Sequence, residues 1–423
     1  LRRPIVECPI CYPEPIETTL HRALMTAAIP KSTLNAAILA GCLIAFLSFG
    51  FAATFGVFLQ PMSADLGWGR EIFSLSVAVQ LLAWGFTQPF AGMAADRYGT
   101  ARVLAFGALM SALGFFLRGW IVTPEVFIAS GVIVGMGTGA CSFPIVIAAL
   151  GKVVDDKQRS YVMGLGTAAA SFGMFAAAHA SNAMIGAYGW QFSITLISLS
   201  FLAILPFLVF IARVSKPTAP SGQPGALTAA IKSAFGDRSF VCLFFGFFVC
   251  GFHVAFIGTH LPAYIDDLGY AAQIGGWSLA LIGLFNVAGS FATGWVGQNW
   301  SMRNSLSVLY TSRAIVIAIF IMTPASPMSI LVFSGVMGLL WLSTVPLTMA
   351  LVAHTQGLKY LSTLAGMIFL SHQIGSFTGA WLGGRIYDMY GDYTPMWWAA
   401  VGFGLLAAII HMPIREERSA HAA

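Results

Sequence analysis

Charge is what this 423-residue sequence has least of: 21 basic and 16 acidic side chains, 9% of the whole, against about 25% in an ordinary soluble domain. Mean hydropathy is correspondingly high, at +0.81. So little charge excludes a cytosolic enzyme and a nucleic-acid binder. Six cysteines are too few and too scattered for a disulfide-stapled secreted domain. Cys8 and Cys11 have CxxC spacing, but no second pair completes four zinc ligands, so neither metal nor cofactor is expected. No Gly-Lys-Ser/Thr follows Gly135, Gly137 and Gly139, which reads them as close-packing positions rather than a phosphate cradle. No nucleophile–base set is visible, so the chain does not read as an enzyme.

Apolar runs are abundant instead. Twelve stretches are long enough to cross a bilayer of about 30 Å. They fall at 36–62, 72–94, 101–121, 126–150, 160–185, 191–212, 239–264, 273–296, 304–323, 328–352, 360–384 and 394–413. Continuous runs rather than ten-residue alternation select helices over a barrel. With both termini inside, only Arg70, Arg118 and Arg385 of the 21 basic residues fall outside, and Arg313 lies within a span. The net charge of +5 is therefore a topology signal. The expected location is a bacterial inner (plasma) membrane, crossed many times.

The chain repeats itself at an offset of 202 residues: Asp65 with Asp267, Gly92 with Gly294, Pro144 with Pro346, and Tyr188 with Tyr390. Six spans separate the partners, so the halves share an orientation. The expected organisation is a disordered segment 1–35, a six-helix bundle 36–212, a cytoplasmic linker 213–238, a second bundle 239–413 and a tail 414–423. Lys216 to Gly225, rich in Pro, Gly and Ser, marks the join. The first 30 residues have neither helical period nor signal-peptide pattern, which suggests a translation start at Met25.

The loop after span two reads Gly92-Met-Ala-Ala-Asp96-Arg97-Tyr-Gly99-Thr-Ala-Arg102. It resembles the Gly-x-x-x-Asp-Arg/Lys-x-Gly-Arg/Lys-Arg/Lys signature of the major facilitator superfamily, with Thr100 departing from it. The resemblance implies an all-α membrane protein of twelve transmembrane helices in two six-helix bundles. It also implies that Gly92, Asp96, Arg97, Gly99 and Arg102 form a conformational latch. Arg159-Ser-Tyr-Val-Met-Gly164, with Gly166, Ala168 and Gly173, resembles the fifth-helix pattern of monocarboxylate and oxalate/formate permeases. Gly384-Arg385-Ile-Tyr387-Asp388 resembles the stretch before their last helix. Phe51-Ala-Ala-Thr-Phe55-Gly56 stands where the monocarboxylate branch carries an acidic Gly-aromatic signature. This implies a divergent bacterial relative of organic-anion permeases.

Polar groups at mid-depth are costly, so they mark function. No Asp or Glu is expected there. Asp65, Glu71, Asp267, Asp388 and Asp392 lie at one rim, Asp96 and Asp237 at the other. The central positions are basic or neutral: His253, Arg313 and His372 with Gln373. Donors without carboxylates suit an anion as the missing counter-charge. Trp341 and Thr344, with Ser343, add a wall to this substrate site, and His260 is expected to guard access. Pro144 and Pro346 are expected to bend their helices. His179, Gln80, Gln88 and Asn286 read as packing or inter-helical groups.

The residues predict a monomeric carrier of a small organic anion, and the resemblance implies a mono- or dicarboxylate, moved by proton symport or anion exchange. Any proton would ride on histidine or on the substrate. Efflux of a hydrophobic or cationic compound is the first alternative, and a non-transporting sensor the second.

Overall fold

A computed structural model describes residues 30–121, 123–151, 154, 156–215, 226–357 and 361–416. Cys8, Cys11, Met25 and the Lys216–Gly225 stretch lie outside the described residues. All regular structure within them is helical. The first part holds α1 (Lys31–Ala53), a 3₁₀ turn (Phe55–Phe58), α2 (Leu59–Leu66), α3 (Arg70–Tyr98), α4 (Thr100–Trp120), α5 (Pro124–Ala140), α6 (Phe143–Gly151), α7 (Asp156–Leu202) and α8 (Leu208–Val214). The second holds α9 (Ala226–Gly236), α10 (Arg238–Asp267), α11 (Ala272–Asn299), α12 (Met302–Met322), α13 (Pro327–Leu340), α14 (Thr344–Gln356), α15 (Leu361–Tyr390) and α16 (Thr394–His411).

Among the described residues nine helical stretches are long and apolar enough to cross a membrane. One of them, Gly164–Val214, has 51 residues. At 1.5 Å per residue that is about 76 Å, more than twice the hydrocarbon thickness. The chain turns within it at Gly189, where φ is +79°. Gly189 and its repeat partner Gly391 (φ +69°) share this left-handed backbone, as do Gly67 (φ +65°) and Gly269 (φ +81°). Only glycine enters that region without a Cβ penalty, so the sequence repeat has a backbone counterpart.

Several helix starts follow from local chemistry. Thr123 accepts the Val126 N–H ahead of Pro124, and Ser326 forms a reciprocal capping box with Ser329 ahead of Pro327. Both prolines sit in the first turn, where an N–H is not needed. Four of the expected continuous spans are broken instead, the sixth between Leu202 and Leu208 at a 3₁₀ turn (Leu205–Phe207) that holds Pro206. The first bends after Ala53, where Thr54 returns its hydroxyl to the Gly50 carbonyl at 2.9 Å. The fourth is split between Ala140 and Phe143, and the tenth between Leu340 and Thr344, each just before its proline.

Glycines set the close helix crossings. A Cβ at Gly50 would stand 2.5 Å from the Gly173 carbonyl oxygen, so α1 and α7 touch backbone to backbone. Gly251, Gly375 and Gly379 do the same for α10 and α15, whose opposing carbonyls belong to His372, Phe248 and Phe252. This crossing fixes the depth at which α15 carries His372 and Gln373.

Candidate substrate site and gate

Ser48 and Phe49 of α1, Trp84 of α3, Thr138 of α5 and Ser142 line a small cavity. Its volume of about 10 Å³ admits about one water molecule. The Ser48 and Ser142 hydroxyls are buried there without a hydrogen-bond partner. Trp84 donates to Gln88 Oε1 at 2.8 Å and meets Phe369 of α15 edge-on, with centroids 5.9 Å apart. Phe369 in turn stacks on His372, at 5.8 Å. The expected residue His372 is thus linked through Phe369 to a hydroxyl-lined wall that the sequence reading missed. Its serines and threonines are small residues on apolar helices and carry no periodic signal.

Gln373 ties α15 to α3, its Nε2 donating to the Leu81 carbonyl at 3.0 Å. That fixes the amide, leaving Oε1 to accept from His372 Nδ1, also at 3.0 Å. His372 Nδ1 therefore carries a hydrogen. The Cys250 thiol faces that imidazole and meets the Thr344 hydroxyl at 3.2 Å. The Arg313 charge acts on both Cys250 and His253. Helices α10, α12, α14 and α15 thus bring His253, Arg313, Thr344 and His372 into one buried cluster.

Within it Arg313 has a partner set that explains its depth. Nε donates to the Leu340 carbonyl at 3.0 Å, and Nη2 donates to the carbonyls of Leu340 and Trp341. These are orphan acceptors at the C-terminus of α13, where a cation also meets the negative end of the helix dipole. Nη1 has no hydrogen-bond partner. His253 Nε2 donates to the Ala400 carbonyl at 2.7 Å, leaving Nδ1 unpartnered. Trp341 is packed in the apolar core rather than beside the Trp84 cavity.

Arg118, expected outside, is wholly buried. It donates to the Ser130 and Ser76 hydroxyls at 3.2 and 3.0 Å, and its guanidinium lies 4.7 Å from the Phe55 ring centre. Two hydroxyl acceptors and an aromatic face replace the water it would lose. No carboxylate pairs with Arg118 or Arg313 among the described residues.

Carboxylates gather at the end of the fold where α3 begins. Asp267 of α10 receives both ends of the Arg70 guanidinium, at 2.7 and 2.6 Å. Arg70 also donates to the Tyr393 hydroxyl and to Gln60 Oε1, each at 3.0 Å, and lies over the Tyr387 ring at 3.7 Å. Burial draws the guanidinium pKa down, but Asp267 and Tyr393 outweigh it and hold it above its ordinary value. Burial likewise pushes the Tyr393 phenol up, with Arg70 opposing. Asp388 accepts the backbone N–H groups of Arg70 and Glu71, while Arg385 pairs with Glu71 at 2.9 Å. His260, expected to guard access, bonds Tyr393 at 3.0 Å and the Ala380 carbonyl at 2.8 Å.

At the opposite end of α3, Asp96 and Arg97 are exposed, Arg97 lying over Tyr98 at 5.3 Å. Gly99, at φ +93°, turns the chain from α3 into α4, where Arg102 is exposed; a Cβ at Gly92 would meet nothing.

Comparison with known proteins agrees with this architecture. The sequence profile of the Major Facilitator Superfamily matches residues 41–380. The MFS-type transporter YcxA of Bacillus subtilis (strain 168) is 25% identical over 388 residues, covering 88% of this chain and 92% of that protein. Monocarboxylate transporter 13 of Bos taurus is 23% identical over 382 residues, 86% of each chain. Multidrug resistance protein MdtL of Shewanella oneidensis is 31% identical over 107 residues, only 25% of this chain. The chain belongs to the major facilitator superfamily and is a multi-pass membrane transporter of small molecules, not an enzyme.

Proposed function

We propose that the protein is a secondary active transporter of a small organic anion, a mono- or dicarboxylate. It works by alternating access between two six-helix bundles in a bacterial inner membrane, with both termini cytoplasmic. The carrying observation is the pair of wholly buried guanidiniums, Arg118 and Arg313, neither with a carboxylate partner. Buried cations without a carboxylate are costly in a membrane protein, and they leave the interior with a positive potential that favours an anion over a cation. The monocarboxylate transporters among its relatives support the same substrate class.

In this reading the anion binds between the Trp84 wall and His372–Gln373. Arg313 does not line that wall and acts on the anion through its charge alone. The Gln373–Leu81 bond must break to make room, because the present cavity admits about one water. The Arg70 cluster closes the outer end, and its release opens the site outward while Asp96 and Arg97 work the inner end. The aromatic walls would suit efflux of a hydrophobic cation, but the buried arginines repel it. Thermal stability of purified protein tests the substrate class. Small carboxylates are expected to raise the melting temperature and lipophilic cations to leave it unchanged; the reverse pattern overturns the reading.

A further inference from the structure

We propose that His260 is a proton-operated release for the Arg70–Asp267 gate. The inference rests on the carrier reading and adds what opens its outer end. The argument begins with a carbonyl. His260 Nε2 lies 2.8 Å from the Ala380 carbonyl oxygen, which only accepts, so Nε2 carries the hydrogen and Nδ1 holds the lone pair. The Tyr393 hydroxyl, 3.0 Å from Nδ1, must then donate to it. Having donated its one proton, the phenol oxygen accepts from Arg70 Nη1 at 3.0 Å. Neutral His260 thus orients Tyr393 to receive the guanidinium that Asp267 also holds.

A proton arriving on Nδ1 reverses that order. The imidazolium donates from both nitrogens, and Tyr393 can no longer give it a hydrogen. The phenol must turn its own proton away while two cations press on one oxygen. The surrounding charges offer no spare counter-ion. From α10 itself, Asp267 is engaged by Arg70. From α3 and α15, Glu71 is engaged by Arg385 and Trp381, and Asp388 caps the backbone of Arg70 and Glu71. Asp392, before α16, accepts the Thr394 N–H, and Tyr264 and Tyr387 supply only phenols. Burial keeps water from screening the repulsion, since His260 is 1% exposed. The weakest link is the Arg70–Tyr393 bond; its loss removes the hold of Arg70 on Tyr393 and leaves the start of α3 tied to α15 by the Asp388 cap and the Glu71 contacts alone, which loosens the closed end.

Amide hydrogen exchange of the ligand-free protein in nanodiscs reads this directly. The Arg70 and Glu71 amides are protected by Asp388 only while the gate is shut. As the pH is lowered from about 8 to about 4, past the ordinary histidine range, their protection, corrected for intrinsic exchange, is expected to fall. One-proton linkage allows at most about tenfold per pH unit. His260→Gln, which donates to Ala380 and accepts from Tyr393 as a permanently neutral stand-in, is expected to give a flat profile. Tyr393→Phe is expected to lower protection at every pH and to remove the step. A wild-type step that persists in either variant, or a flat wild-type profile, overturns the proposal. Because no substrate is present, that failure leaves the carrier reading to its own binding and transport assays.

Discussion

Asp388, near the end of α15, accepts the backbone N–H groups of Arg70 and Glu71 at 2.9 and 2.8 Å, and so caps a helix that begins 318 residues earlier in the chain. A carboxylate on a helix N-terminus satisfies orphan donors and meets the positive end of the dipole. Because cap and helix belong to different halves of the repeat, the cap operates only when this end is closed. Asp388→Ala is expected to destabilise the closed end by about 1 kcal/mol. Amide exchange at Arg70 and Glu71 checks it: faster exchange there, with the rest of α3 unchanged, is the expected result.

The ion pair between Arg70 and Asp267 is half shielded, with side-chain exposures of 7% and 26%. Losing one partner leaves the other charge poorly solvated. Asp267→Asn is expected to cost up to about 3 kcal/mol of closed-state stability. Exchanging the two, Arg70→Asp with Asp267→Arg, is expected to restore part of it. A double-mutant cycle on exchange rates or melting temperature measures the coupling, and additivity of the single variants would count against a direct gate contact.

His372 and Arg313 are expected to separate by their effect on stability. His372→Ala removes a group beside the Trp84 wall but orphans no carbonyl, so uptake is expected to be lost with little change in melting temperature. Arg313→Ala also leaves Leu340 and Trp341 without their donor, which costs about 2 kcal/mol or more. Uptake and melting temperature are expected to fall together. Normal uptake by both variants would remove the anion-site argument.

Gly251→Ala pushes a methyl group into the His372 carbonyl across the α10–α15 crossing. Overpacking of this kind typically costs about 1–3 kcal/mol. It is also expected to shift His372 and reduce uptake more than Gly67→Ala, where the added carbon meets nothing and only the left-handed backbone is strained. Paired uptake and melting measurements on the two variants test this.

Helices and their membrane character were legible because apolar length is a property of the chain itself, and the 202-residue offset reappears in the backbone of Gly67 and Gly269. The breaks after Ala53, Ala140 and Leu340 were less so. They depend on what the freed carbonyls find: Arg313 reaches those of α13 from another helix. The burial of Arg118 was not legible: it stands near the end of a span, and Ser76, Ser130 and Phe55 converge on it from other helices. The gate was half written in the sequence. The Asp65–Asp267 repeat pair and the Tyr387-Asp388 stretch stood out, yet nothing linear joins Asp267 to Arg70. Asp65, the repeat mate, binds Trp190 instead, at 2.8 Å.

The most direct measurement is uptake by proteoliposomes of labelled small carboxylates, lipophilic cations and neutral solutes, with and without an inward proton gradient. The account predicts saturable carboxylate uptake that disappears in His372→Ala and responds to the gradient through His260. Transport of a cation alone would contradict it, leaving the buried arginines a purely structural role.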